Sequence, residues 1–304
     1  MSLIVTGTIG IDTIETPVAK AVEVPGGSCA YFAAAASHFT PTRMVAAVGG
    51  DWPSEHRAVL ESFPGIDLAG LDTRADSKTF AWGGRYLDDM NQRETLFTHL
   101  GVVEEAPPVV PKAFADSDYV FLANTHPAVQ ARLLSQFPDR KLAVADTMDL
   151  WIDIANDDLR TLIQQVDGIV LNDAEAMQFT GARNAISAAR DMLDTGLAFV
   201  VVKKGEHGCV LVHREGIGAL PAYPMPADAV IDPTGAGDTF AGGMMGYLAS
   251  EDRCDLEALR ASLAWGTVTA SFTLEAFGLE GQRAIDRQTI NARMDHFKQI
   301  VRLS

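Results

Sequence analysis

The stretch Asp232-Pro-Thr-Gly-Ala-Gly-Asp238-Thr-Phe-Ala-Gly-Gly-Met-Met-Gly-Tyr-Leu-Ala249 runs a glycine-rich turn directly into a helix. Gly235 and Gly237 permit backbone conformations that side chains obstruct. Their amides, with those of Ala236 and Asp238, are able to point at one anion. The helix N-terminus adds roughly half an elementary charge. Asp238 falls in the first helical turn, where the dipole favours any acid. Beside an anion hole, the same carboxylate is also placed to accept a proton from an attacking hydroxyl. Gly242, Gly243 and Gly246 lie inside the helix, where each costs about 1 kcal/mol relative to Ala. Close helix packing and backbone room for a ligand both account for them.

Upstream of this turn the chain alternates strand and helix. Residues 2–7 (SLIVTG) and 44–48 (MVAAV) read as apolar strands closed by glycine. Gly26-Gly27 opens an Ala-rich helix with Ser28 near its N-cap. Residues 79–100 read as strands with turns at Gly83-Gly84 and at 88–91. YVFLAN (119–124), LAVAD (142–146), GIVLN (168–172) and AFVVVK (198–203) are continuous apolar runs separated by helical segments. Strands of this kind belong to a mostly parallel sheet covered on both faces. Such sheets bind ligands outside the C-terminal strand ends. Asn124, Asp146, Asn172 and Lys203 all stand at strand ends, so their side chains are expected to converge on one crevice.

The 304 residues, 47% hydrophobic, fit one large α/β domain spanning 1–304. The longest apolar runs, 29–36 and 197–202, fall well short of the roughly 20 residues of a membrane span. The N-terminus lacks a basic leader and reads as a strand, which places the protein in the cytoplasm. Three scattered cysteines, Cys29, Cys209 and Cys254, read as reduced thiols. A net charge of -16 without a basic face argues against a nucleic-acid partner. Any phosphate site must draw its positive potential locally, from helix ends, amides, a metal ion or a few placed cations.

DPTGAGDTFAGGMMGYLA closely resembles the C-terminal signature of the ribokinase-like, or PfkB, carbohydrate kinases. Gly26-Gly27 with its small-residue helix resembles the family's first signature. Asn172-Asp-Ala-Glu175 is similar to its Asn-x-x-Glu motif. The three motifs stand in the right order and cover most of the chain.

The resemblance implies a three-layer α/β/α sandwich with a small β lid built from about residues 12–24 and 75–103. It implies transfer of the γ-phosphate of ATP to a hydroxyl of a small sugar-like substrate. Asp238 would be the base, and the amides of Gly235, Ala236 and Gly237 the anion hole. Asp12, Gly26 and Gly27 would hold the substrate, with Asn124 at its strand end. Asn172 and Glu175 would organise Mg2+ through water. Lys203, Gly205 and Thr234 would lie along the nucleotide, whose base would rest near residues 264–278. A monovalent cation such as K+ near Asp232 and a homodimer through the lid are further implications.

One position departs from the pattern. Many sugar kinases carry Asn where this chain has Tyr31, so Tyr31 is expected either to stack on a substrate ring or to join the core. In the lid, Arg85 beside Gly83-Gly84 is a candidate contact for an acidic substrate, in a segment that also carries Asp88, Asn91 and Arg93. Two other readings stand beside the sugar kinase. A nucleoside kinase of the same superfamily needs an aromatic slot, for which Tyr31, Phe32 and Trp82 are candidates. A non-catalytic sugar-binding regulator is disfavoured by the intact motifs. VTGTIGID lacks the G-x-G-x-x-G spacing of a dinucleotide oxidoreductase.

Overall fold

The computed structural model describes residues 1–302. The chain opens with β1 (Leu3–Thr6) and a hairpin of β2 (Gly10–Glu15) and β3 (Lys20–Gly26), which feeds α1 (Ser28–Ala36). Next come β4 (Thr42–Gly49), α2 (Ser54–Glu61), β5 (Ile66–Arg74) and a second hairpin, β6 (Phe80–Tyr86) and β7 (Arg93–His99). Strand and helix then alternate through β8 (Tyr119–Leu122), α3 (Pro127–Leu134), β9 (Leu142–Asp146), α4 (Asp149–Ile154), α5 (Asn156–Ile163) and β10 (Gly168–Asn172). The series continues through α6 (Asp173–Thr180), α7 (Ala185–Leu193) and β11 (Phe199–Lys203). Last are the strands β12 (Cys209–His213) and β13 (Gly216–Leu220), then α8 (Ala236–Glu251), α9 (Leu256–Thr273), α10 (Glu280–Arg283) and α11 (Arg287–Ile300).

Nine strands form the central sheet in the order β13-β12-β11-β10-β9-β8-β1-β4-β5. Every pairing from β11 to β5 is parallel, and β12 and β13 close one edge antiparallel. Alternate residues of each strand go to opposite faces. Leu3 and Val5 pack with α1, α8 and α9, whereas Ile4 packs with α3, α5, α6 and α7. Both faces are therefore buried, as the unbroken apolar runs require, and the expected three layers result. No helix among the described residues is long and apolar enough to cross a membrane.

The two hairpins form a separate sheet, ordered β3-β2-β6-β7, which is the expected lid. β2 and β6 join them in parallel, with Asp12 opposite Trp82 and Glu15 opposite Arg85. On the body, α8 lies between α1 and α9. Side chains on Gly242 would strike the Phe32 carbonyl of α1, and on Gly243 the Thr269 and Trp265 region of α9. Close packing thus accounts for these two glycines.

Candidate active site

The C-terminal ends of β9, β10 and β11 deliver Asp146, Asn172 and Lys203 to one crevice, beside the N-terminus of α8. Lys203 Nζ lies 3.8 Å from Asp146 Oδ2. The same ammonium faces the turn, because a Cβ on Gly237 would meet it at 2.9 Å. Burial opposes its charge, but Asp146 and then Glu175 overcome this and hold its pKa above the ordinary value. Lys203 is therefore the fixed cation beneath the anion turn. Burial raises the pKa of Asp146 although Lys203 pulls it back.

Gly235 is the N-cap of α8 with φ 74°, the left-handed region that glycine enters without strain. It has a second requirement, since a Cβ there would collide with the Tyr31 ring. Tyr31 is thus a buried wedge under the turn, its hydroxyl without a hydrogen-bond partner. Of the two readings of Tyr31, the structure supports packing rather than an exposed stacking surface. Asp232 secures the start of the turn by accepting from the amides of Thr234 (2.8 Å) and Gly278 (3.4 Å). This is the carboxylate beside which a monovalent cation is expected, and each of its oxygens accepts one backbone amide.

Asp238 is partly exposed on the floor of the crevice. Burial first, then the charge of Asp146, push its pKa up to about 7, while Lys203 and Arg93 pull it down. Asp12 approaches from the lid and is 3% exposed. Burial and the charge of Asp232 raise its pKa to about 7, with a smaller push from Asp238. Its Oδ1 has no hydrogen-bond partner. Gly26 leaves the space this carboxylate fills, and any side chain there would collide with it. Gly27, at φ 93°, is the N-cap of α1. Ser28, one residue on, bonds Thr8 and donates to the Asn124 carbonyl instead of capping the helix.

Asn172 and Glu175 form a reciprocal capping box at the start of α6. The Glu175 amide donates to Asn172 Oδ1, and the Asn172 amide to Glu175 Oε2, both at 2.8 Å. Burial raises Glu175 to about 7 against the pull of Lys203. No cluster of three metal-binding side chains occurs among the described residues. The one carboxylate beside Asn172, that of Glu175, suits only a cation that would keep most of its own waters, as Mg2+ commonly does. Gly205, at φ 53°, begins a short turn that meets the lid tip, where Asn91 Nδ2 donates to Glu206 Oε1 at 3.2 Å.

Two expected contacts are not brought into this cluster. Arg85 lies on the outer lid face, paired with Glu15 at 2.8 Å and half exposed. Its neighbour Tyr86 takes the inner face, and alternation along a strand sends the two opposite ways. Asn124 uses its side chain on α4, accepting from Trp151 Nε1 at 2.9 Å and donating to Met148 Sδ at 3.1 Å. Of the aromatic-slot candidates, Phe32 is core, stacked on Phe121 with ring centroids 4.3 Å apart. Trp82 alone of the three is partly exposed. One residue escaped the sequence reading, and another, named there only as a lid charge, takes a definite place. Tyr86 hydrogen-bonds Thr234 Oγ1 at 3.1 Å, and Arg93 stands directly opposite Tyr86 on β7.

A half-buried carboxylate beside a glycine-rich turn at the strand ends, with a separate small sheet above, is an arrangement suited to phosphoryl transfer. The pfkB carbohydrate kinase family matches residues 11–282, and the chain belongs to that family. It is 30% identical to the cytidine kinase of Thermococcus kodakarensis, covering 81% of this chain and 88% of that protein. The fold is shared with the Methanocaldococcus jannaschii nucleoside kinase (TM-score 0.77, 19% identity, 97% and 98% of the two chains). It is shared equally with aminoimidazole riboside kinase from Salmonella enterica, solved with aminoimidazole riboside and an ATP analogue (TM-score 0.78, 17% identity, 97% and 100%).

Proposed function

We propose that this kinase transfers the γ-phosphate of ATP to a ribose hydroxyl of a nucleoside. The observation that carries the transfer chemistry is the placement of Asp238 beside the turn 235–237, with Asp12 above it. Asp12 keeps a buried, unpartnered oxygen, and such an atom calls for a donor. A sugar hydroxyl supplies one. Asp12 thus grips the acceptor, and Asp238 accepts the proton of the hydroxyl that attacks the γ-phosphorus. The new O–P bond forms as the bridging bond to ADP breaks. The amides of Gly235, Ala236 and Gly237 and the Lys203 ammonium stabilise the charge in transit. Asn172 and Glu175 would hold the waters of Mg2+, which shields the phosphate charge when bound. Thr234 and Gly205 would flank the nucleotide.

The nucleoside is favoured over a free sugar by the 30% identity to a cytidine kinase, which extends over most of both chains. Trp82, on the inner lid face, would border the base. A free sugar or sugar acid is the second reading, favoured by the same Asp12 carboxylate, which needs only a polyol. A single domain, a cytoplasmic setting and a homodimer through the lid complete the proposal. Val18, Val22 and Leu96 are exposed on the lid, as a partner contact would require. A coupled ADP-release screen over nucleosides, sugars and sugar acids, with Asp238→Asn as blank, tests the reading. Turnover of nucleosides supports it. Turnover confined to free sugars replaces the acceptor, and turnover by the blank removes Asp238.

A further inference from the structure

The glycine-rich turn is gripped at both ends by the segment that leaves α9. At its entry, the Leu274 carbonyl accepts the amides of Ile231 (2.7 Å) and Asp232 (3.3 Å), and the Gly278 amide donates to Asp232 Oδ2. At its exit, the Thr273 hydroxyl donates to Thr239 Oγ1 at 3.0 Å, one residue past Asp238. Gln282 Nε2 in turn donates to the Thr273 hydroxyl (3.0 Å) and to the Thr269 carbonyl (2.9 Å). The backbone carbonyl of Gln282 stands 3.2 Å from His38 Nε2, just beyond α1. A directed chain of donors thus runs from α10 through the end of α9 to the start of α8.

The seam between α8 and α9 sets this chain apart from ordinary packing. Thr239, Gly243 and Tyr247, four residues apart, share one face of α8. They meet Thr273, Thr269 and Trp265, also four apart, on the antiparallel α9. The far end of the seam is two stacked rings, and its middle is a glycine against a threonine. The end beside the crevice is joined by the side-chain hydrogen bond. Thr239, Thr273 and Gln282 are all fully buried, and Gln282 Oε1 has no partner. An apolar side chain would fill that space at lower cost.

The need for such a grip follows from how α8 begins. Helix starts are ordinarily fixed by a capping side chain that takes the first free amides. The N-cap here is Gly235, which has no side chain to offer, and the amides of the turn stay open to an anion. Gly237, in the first helical turn, adds backbone freedom. A turn left uncapped for its ligand must be held from outside, because an anion site works through donors fixed in advance.

We propose that Thr273 and Gln282 are positioning residues for phosphoryl transfer. Acting through Thr239, they hold the first turn of α8 so that Asp238 and the amides of the glycine-rich turn face the reacting phosphate together. The proposal rests on the phosphotransfer reading of the Asp238 crevice and deepens it. Both side chains are buried behind α8, so they act on the reaction only through the helix they hold.

Thr273→Val keeps the shape and removes the hydroxyl, whereas Thr273→Ser keeps the hydroxyl. Gln282→Met removes the donor at the other end of the chain. With folding confirmed by melting temperature, Thr273→Val and Gln282→Met should each lower kcat on an accepted nucleoside by about 10–100-fold, with acceptor KM little changed. Thr273→Ser should stay within about threefold of wild type. Thr239→Val combined with Thr273→Val should cost no more kcat than either change alone, because both break one bond. Calorimetry without an acceptor should show Thr273→Val weakening MgATP binding more than MgADP binding. A Thr273→Val protein that melts lower but keeps kcat within about threefold of wild type overturns the proposal, since the bond then serves stability alone. So does an equal loss in Thr273→Ser, or an additive loss in the double variant. Failure of the phosphotransfer reading looks different, because Asp238→Asn would then turn over like wild type. If wild type phosphorylates no nucleoside, the acceptor reading fails, while equal weakening of MgATP and MgADP, or none, in Thr273→Val still overturns the role of the bond.

Discussion

Tyr86 and Thr234 share a hydrogen bond of 3.1 Å between lid and body. It ties the inner face of β6 to the residue just before Gly235, so lid position and anion-turn geometry are coupled. Tyr86→Phe keeps the ring and loses the bond, which is worth about 0.5–1.5 kcal/mol. The expected result is a rise of a few-fold to tenfold in acceptor KM, with kcat little changed. Steady-state kinetics with the acceptor varied checks this, and a fall in kcat at constant KM would contradict it.

Asp238→Asn preserves shape and removes the base. A positioned general base contributes about 100–10,000-fold, so kcat should fall within that range. Binding of MgATP, measured by calorimetry, should change far less.

The raised pKa of Asp238 also sets a pH profile. The base works only when ionised. The kcat/KM of wild type should therefore rise as pH climbs through about 7, and should be low at pH 5. A flat profile between pH 5 and 8 would mean that a group of ordinary carboxylate pKa is the base.

Stability should run the opposite way. For Asp238 and Asp12 the folded pKa, about 7, lies well above the ordinary value of an aspartate, about 4. Their contribution is fully present below the unfolded pKa, and it is lost as pH rises from about 4 through 7. Asp12→Asn and Asp238→Asn should thus raise Tm at pH 8, with the gain shrinking toward pH 5. Calorimetric melts at the two pH values test the sign.

Gly235→Ala meets two obstacles at once, the left-handed φ and the Tyr31 ring. Backbone strain of this kind costs about 1–3 kcal/mol, and relief requires the turn to move. Tm and kcat should fall together. In a double-mutant cycle, Gly235→Ala should cost less Tm in a Tyr31→Ala background than in wild type if the ring is the obstacle.

Much of this was legible in the chain. Apolar runs such as LAVAD and GIVLN dictate a covered parallel sheet, and the Gly-Ala-Gly turn before Asp238 is a local signal that needs no tertiary context. The Asn172/Glu175 pair was legible too, since a capping box is written in four consecutive residues. The lid was not readable to the same depth. Whether Arg85 or Arg93 faces inward depends on strand parity, and parity depends on the hairpin register. A bulge between Gly83 and Gly84 shifts that register, and no local pattern announces it. Asn124 stands at a strand end as anticipated, but its amide is claimed by Trp151, 27 residues downstream. Tyr31 was open between pocket and core because only the approach of Gly235 decides it.

The order of strands in the central sheet has a consequence for biosynthesis. Once β1, β4 and β5 are together, every later strand from β8 to β13 joins the same growing edge in chain order. Both lid hairpins emerge early, and α8, with Asp238, emerges after all thirteen strands. The first residue waits for it as well, since the Met1 ammonium donates to the Ala249 carbonyl near the far end of α8 (3.1 Å). A chain interrupted before residue 232 therefore carries Asp12 but neither the glycine-rich turn nor Asp238. Such a fragment leaves the face of α1 that packs on α8 uncovered, so the core on that side of the sheet closes only when the C-terminal third of the chain arrives.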